Sequence, residues 1–252
     1  MSGAFSLAGR TVLVTGANTG IGQGIALSVG RAGGRVIGVG RSDMTETAAA
    51  MAAEAAEFVA VKADLGQASE AQAMFDAAWQ QHGPIDGLVN NAGIIRRAAA
   101  TEMSEADWDA VMDVNLKAMF FLCQAMGRQA LAAGRPARIV NIASMLSFQG
   151  GVRVAGYTAS KSGVLGITRL LANEWAAKGI NVNAIAPGYI ETNNTAALRA
   201  DPDRFEAILE RIPAGRWGMP ADIGDAAVFL LAPASGYMHG AVIPVDGGWL
   251  AR

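Results

Sequence analysis

The chain alternates between short, continuous runs of apolar and β-branched residues and longer stretches in which apolar side chains return at helical spacing. Continuous apolar runs bounded by turn residues are the mark of strands buried on both faces, whereas a return every three or four positions marks one face of a helix. On this pattern strands are predicted at 12–15, 35–39, 58–61, 85–89, 138–143, 180–185 and 241–245. Helices are predicted at 20–32, 45–56, 69–81, 104–133, 157–178 and 221–231, with Ser69 and Ser104 as N-caps and Gly179 as the stop of the fifth. Strands that alternate with helices of this length imply an α/β fold: a doubly wound, mostly parallel sheet of about seven strands with helices on both faces. No linker, repeat or low-complexity tract divides the chain, so residues 1–252 read as one domain. One interval breaks the rhythm. Residues 189–220 separate the sixth strand from the next helix, and they leave from the carboxyl end of a strand, where ligands bind in open α/β sheets. This interval is expected to form a substrate lid.

Composition narrows the class. With 252 residues, 52% of them hydrophobic, the chain can bury a large core in one unit. A net charge of −2 with scattered Lys and Arg gives no support for nucleic-acid binding. No apolar stretch is long enough for a membrane span, and the start of the chain, Met1 to Arg10, lacks the basic-then-apolar layout of a signal peptide. A single cysteine, Cys123, lies in an apolar run and reads as a core residue suited to a reducing, cytoplasmic compartment. With only His82 and His239, no metal site is expected.

Two stretches carry candidate chemistry. The first runs from Thr15 to Gly22, between the first strand and first helix, with glycines at 16, 20 and 22. Backbone that approaches closely there, at the positive end of a helix, suits a pyrophosphate, with Asn18, Thr19 and Ile21 beside it. At the end of strand two, an acid would favour a ribose 2′-hydroxyl and an arginine a 2′-phosphate. The chain offers Gly40-Arg41-Ser42-Asp43, so NAD and NADP both stand at this point. The second stretch is Tyr157-x-x-x-Lys161, one helical turn apart. A cation beside a phenol favours the phenolate and makes it a usable acid or base. Ser144, which closes an apolar run, offers a hydroxyl for a substrate oxygen. Taken alone, each stretch also has a plain reading, as a glycine-rich turn or a surface Tyr/Lys pair.

Thr15-Gly16-x-x-x-Gly20-Ile21-Gly22, Asn90-Asn91-Ala92-Gly93, Ser144, Tyr157-x-x-x-Lys161 and Pro187-Gly188 follow one another in this order. As a set they resemble the short-chain dehydrogenase/reductase family in its single-domain Rossmann form, over essentially the whole chain. The resemblance implies hydride transfer between a nicotinamide and a carbon that alternates between alcohol and ketone. It implies that Tyr157 is the general acid or base, that Lys161 lowers its pKa and holds the nicotinamide ribose, and that Ser144 orients the carbonyl. It further implies that Asn115 kinks its helix and supports a proton relay to Lys161. Asn91, Ala92 and Gly93 would line the ribose, Asp64 and Leu65 the adenine, and Pro187, Gly188, Ile190 and Thr192 the nicotinamide. It also implies a homotetramer built through 104–133 and 157–178. Segments outside these motifs, such as 141–150, 183–189 and 211–217, resemble family members that act on deoxy sugar acids and are generally associated with NAD; Arg41 leaves NADP open.

A sugar acid presents a carboxylate, and its site should offer a cation. Arg153 is the first candidate and Arg97 the second, with Gln149 for a hydroxyl and Arg216 and Trp217 closing the lid. Two other readings remain: a short-chain reductase of a 3-oxoacyl thioester or polyol, and a dinucleotide-binding sensor without turnover.

Overall fold

A computed structural model describes residues 3–252; Met1 and Ser2 lie outside the described residues. Seven strands form one sheet: β1 (Thr11–Thr15), β2 (Arg35–Gly40), β3 (Phe58–Lys62), β4 (Gly87–Asn90), β5 (Ala137–Ile142), β6 (Ile180–Pro187) and β7 (Val242–Val245). Their spatial order is β3-β2-β1-β4-β5-β6-β7, and every pairing is parallel. The chain winds outward from β1 to β3, crosses back, and winds outward again from β4. This reversal opens a crevice beyond the carboxyl ends of β1 and β4, the place where such sheets take ligands.

Helices cover both faces. On one side lie α1 (Gly20–Arg31), α2 (Thr45–Ala53) and, from later in the chain, α9 (Pro220–Leu231). They close a core of Val12, Val14, Ile25, Val29, Val36, Met51, Ile185 and Leu230. On the other side lie α3 (Ala68–His82), α4 (Glu105–Met112), α5 (Met119–Ala132) and α6 (Ala155–Trp175), over Leu13, Phe75, Leu88, Leu122, Met126, Ile139 and Val182. A third, smaller cluster of Met145, Ile208, Ile212, Trp217 and Trp249 sits apart from the sheet.

Several boundaries differ from the sequence reading. Ser69 does not cap α3: the helix starts one residue earlier, at Ala68, after Gln67. Ser104 does cap α4, accepting from Asp107 N–H at 3.1 Å. The region predicted as one helix over 104–133 is broken by a π-helical stretch, Asp113–Ala118, between α4 and α5. The interval 189–220 is not bare loop, since it folds α7 (Ala196–Arg199) and α8 (Pro202–Leu209) after a turn at Asn193–Thr195. Asp201 caps α8, and Pro202 opens it with the fixed φ a first helical turn needs.

A polar seam crosses the core beneath the crevice. Asn90 and Asn141 lie opposite each other on β4 and β5. Asn90 Nδ2 donates to Asn141 Oδ1 at 2.9 Å, and Asn141 Nδ2 donates to Thr168 Oγ1 at 3.0 Å. Cys123 packs into this seam, where burial pushes its thiol up to about 12, so it is an inert core residue at neutral pH. Among the described residues no three His, Cys, Asp or Glu side chains converge on a metal position, and no helix is long and apolar enough to cross a membrane.

Candidate active site

Stitching between β1 and β4 shapes the crevice floor. Thr15 Oγ1 donates to Val89 O and accepts from the N–H groups of Asn91 and Ala92, both at 3.0 Å. Asn91 Nδ2 donates back to Thr15 O at 2.9 Å. The turn after β1 is thereby fixed against the end of β4. Gly22 is the tightest point: a Cβ there would stand 2.0 Å from Gly16 O. It packs the helix onto the turn and does not line the cleft, in contrast to its expected place among the cofactor contacts. Gly22→Ala is therefore expected to displace the glycine turn and destabilise the protein by about 1–3 kcal/mol, read as a lower Tm together with loss of dinucleotide binding.

A cleft of about 400 Å³ runs along the carboxyl ends of the strands. Gly16, Asn18, Thr19, Gly20 and Ile21 line it at the start of α1, whose first N–H groups have no side-chain cap. Uncapped N–H groups at a positive helix end fit the pyrophosphate of a dinucleotide. At one end lie Arg41, Asp64 and Leu65, at the middle Asn91, Ala92 and Gly93, and at the other end Ser144, Tyr157, Lys161, Pro187, Gly188, Ile190 and Thr192. The structure thus brings most of the sequence-selected cofactor positions, with Ser144, Tyr157 and Lys161, into one continuous groove.

The cofactor-selecting end is clear in its contacts. Asp43 is turned to its own chain, accepting from Thr45 N–H at 3.1 Å and Thr45 Oγ1 at 2.9 Å, and these bonds hold its carboxyl below the usual range. It does not line the cleft; Arg41 and Ser42 do. Arg41 is 76% exposed and meets Asp64 only at 3.9 Å, so its guanidinium is available to a phosphate. Ser42 Oγ accepts from Asn18 Nδ2 at 2.8 Å, which ties this corner to the glycine turn.

At the reacting end, Ser144 Oγ accepts from Leu146 N–H at 3.1 Å, leaving its own proton free to donate. Ser147 braces the turn: its hydroxyl donates to Lys161 O at 2.6 Å and accepts from Ser144 N–H at 3.3 Å. Lys161 is buried, its Nζ 5.7 Å from the centre of the Tyr157 ring and donating to Ile142 O at 2.6 Å. Burial lowers the lysine to about 8. Burial also raises the Tyr157 phenol, against smaller downward pulls from Ser144 and Arg97. The expectation that Lys161 lowers the phenol is not met in this geometry. Desolvation of the phenolate outweighs the cations around it, and the ammonium is engaged with a main-chain carbonyl.

Asn115 lies within the π-helical stretch and is buried. Its Oδ1 accepts from Ile94 N–H at 2.8 Å, and its Nδ2 donates to Ile94 O at 2.9 Å and Ser160 Oγ at 3.3 Å. It does not line the cleft. It locks the loop following β4 to the helix that carries Tyr157 and Lys161.

The substrate candidates separate. Arg97, exposed, is the arginine whose charge the Tyr157 phenol feels; Arg153 is not. Arg153 holds a left-handed backbone, φ 63°, and its carbonyl accepts from Ala98 N–H at 3.1 Å, so the two loops meet here. Arg96, next to Arg97, is paired with Asp107 at 3.2 Å, whereas among the described residues Arg97 and Arg153 have no acidic partner. Gln149 Oε1 is taken by Trp249 Nε1 at 3.0 Å. Arg216 is clamped on Asp222 by two bonds of 2.8 and 2.9 Å, and Trp217 is packed in the third cluster, so neither is free for a ligand. Cleft residues that the sequence reading missed include Ser42, Val114, Asn193, Asn194 and Thr195. The polar run from Thr192 to Thr195, directly after Pro187-Gly188, was the signal available for the last three.

Comparison with known proteins agrees with this arrangement. A family profile described as enoyl-(acyl carrier protein) reductase matches residues 16–250. The chain is 55% identical to 2-dehydro-3-deoxy-D-gluconate 5-dehydrogenase of Escherichia coli strain K12, over 99% of this chain and 98% of that protein. A crystal structure from Agrobacterium tumefaciens, described as a 2-deoxy-D-gluconate 3-dehydrogenase with bound NADP, superposes with a TM-score of 0.95 at 59% identity, covering all of both chains. A second, from Beutenbergia cavernae, described as an NAD(P)-dependent gluconate 5-dehydrogenase with NADP at low occupancy, gives 0.95 at 52% identity, covering 99% of this chain and all of that one.

Proposed function

The chain belongs to the short-chain dehydrogenase/reductase family, and we propose that it interconverts a keto and a hydroxyl group on a deoxy sugar acid, acting as a 2-dehydro-3-deoxy-D-gluconate 5-dehydrogenase. In the favoured direction it reduces 3-deoxy-D-glycero-2,5-hexodiulosonate to 2-keto-3-deoxygluconate, as a step of pectin or uronate breakdown. The observation that carries this reading is the meeting of Ser144, Tyr157 and Lys161 at one end of a dinucleotide-shaped cleft, together with near full-length similarity to enzymes named for gluconate derivatives.

A nicotinamide held along Asn91, Pro187, Gly188, Ile190 and Thr192 would supply or take up the hydride. The side chains manage the oxygen. Ser144, with its lone pair already engaged by Leu146 N–H, donates its proton to the carbonyl oxygen and orients it. Tyr157, kept protonated by burial, gives its phenolic proton to the oxygen as charge develops there, and takes it back in the oxidative direction. Lys161, titrating near neutrality, holds ribose hydroxyls and resupplies the proton. Asn115, in the π-helical stretch, supports a proton relay to that lysine. Arg41, with Ser42 beside it, takes a 2′-phosphate, so NADP is preferred and NAD is the weaker partner. The segment 189–220 covers the bound substrate as a lid. Trp108 on α4 and Leu170 on α6 remain partly exposed, which supports tetramer formation through these helices. The enzyme works in the cytoplasm.

The reading is tested with purified protein, the 2,5-diketo acid and a panel of sugar acids, 3-oxoacyl thioesters and polyols, each with NADH and NADPH. Turnover confined to thioesters or polyols would replace it. Arg97 supplies the charge for the substrate carboxylate. Arg97→Ala is expected to raise KM for the sugar acid about tenfold to a hundredfold, as loss of a charge-assisted hydrogen bond requires, with a smaller fall in kcat. A neutral ketone turned over by the same protein should lose less; equal losses would remove the carboxylate role.

A further inference from the structure

The turn that carries Ser144 is held from two sides. From within, Ser147 Oγ donates to Lys161 O on α6. From outside, Gln149, whose own N–H closes the turn on Met145 O, accepts from the indole N–H of Trp249, three residues from the C-terminus. Trp249 is buried, and its position is determined in turn. Asp246 accepts from the N–H groups of Gly248 and Leu250, both at 2.9 Å, which coils the tail. The Tyr189 ring lies 4.9 Å from the Trp249 ring, and the Arg211 guanidinium stacks over it at 3.9 Å. Tyr189 follows Pro187-Gly188, and Arg211 follows α8, so one indole touches the start of the lid segment, its stretch beyond α8, and the Ser144 turn.

We infer that Trp249 is a positioning residue of the active site, which fixes the Ser144 turn through Gln149 and registers it against the base of the lid. Trp249 reaches no cleft position itself, and its influence passes through the amide of Gln149. A hydroxyl that must meet a carbonyl oxygen within a few tenths of an ångström loses catalysis steeply when its support loosens. The tail is thus part of the catalytic scaffold, and the inference rests on the assignment of Ser144 to the substrate oxygen.

The test uses the full-length chain with two variants and their combination. Trp249→Phe keeps a ring in the cluster and removes the indole donor; Gln149→Leu leaves Trp249 in place and removes the acceptor. Each is expected to lower kcat/KM for the 2,5-diketo acid about tenfold, with NADPH affinity unchanged, and Trp249→Phe should add nothing once Gln149 is Leu. A second measurement needs no turnover. Hydrogen exchange of the apoprotein should accelerate roughly fivefold or more at the amides of 146–149 in Trp249→Phe, with α6 unaltered. Losses that multiply in the double variant, wild-type kcat/KM in Trp249→Phe, or unaltered exchange at 146–149 would each overturn the inference. A wild type inactive on every sugar acid overturns the functional reading instead, and leaves the exchange measurement to decide this one.

Discussion

Tyr157→Phe should lower kcat about 10²–10⁴-fold while NADPH binds as in the wild type. The size follows from what is removed. The ring stays, so the packing beside Lys161 persists, but the only phenolic proton at the reacting end of the cleft is gone. Ser144 cannot replace it, because a serine hydroxyl is too weak an acid to release its proton to the product oxygen. Steady-state rates and a titration of cofactor fluorescence on the same preparation decide the matter. Turnover retained in the variant would move the acid elsewhere, and lost cofactor binding would mean that the residue serves the dinucleotide first. The pH dependence carries a second reading. Since burial raises the phenol and lowers Lys161 to about 8, the group changing charge near neutrality in the free enzyme is the lysine. Reduction should therefore weaken as pH rises through that range, where the store of protons behind Tyr157 empties.

Arg41→Ala has the next largest expected effect, on the choice of cofactor. Replacing a guanidinium bound to a 2′-phosphate removes a charge-assisted interaction of about 1.5–3 kcal/mol, which is roughly a tenfold to hundredfold rise in KM for NADP. NAD has nothing at that position to lose, and its KM should hold. The exposed ion pair with Asp64 at 3.9 Å contributes little against this, and Asp64 keeps its bond to Gly66 N–H at 2.9 Å in the variant. Equal rises for both cofactors would place Arg41 on the adenine and leave the preference to another residue.

The inner strands were legible because burial on both faces makes them mostly apolar, β-branched runs; 12–15 and 180–185 differ from β1 and β6 only at their ends. The glycine turn and the Tyr157/Lys161 spacing were legible for a similar reason, since close approach and helical period both leave marks in the chain. What escaped depends on partners far apart in sequence. The helical period over 104–133 does not announce the π-helical stretch; only the resemblance put a kink at Asn115, whose bond to Ile94 spans 21 positions. Asp43 looked like a rival to Arg41 until Thr45 was seen to occupy it. Gln149 looked free for a substrate hydroxyl, yet its acceptor is claimed from 100 residues away. The lid helices are short and half-buried, and they are stabilised by aromatic stacking, such as Phe205 on Trp217 with ring centres 5.7 Å apart, that no local pattern displays. The Tyr157 phenol went the other way from expectation because charge proximity can be read from spacing and desolvation cannot.

The Asn90–Asn141 pair also bears on how the sheet assembles. Parallel strands are joined by distant segments, so their alignment is found slowly and many offsets compete on the way. Apolar β-branched faces tolerate such offsets well, because one valine resembles the next. Two amides that meet only at a single offset do not: displaced by one position, each points to the opposite face and is stranded in hydrocarbon without a mate. The seam that lies under the crevice therefore acts as a vernier mark, favouring one alignment of β4 on β5 over its neighbours.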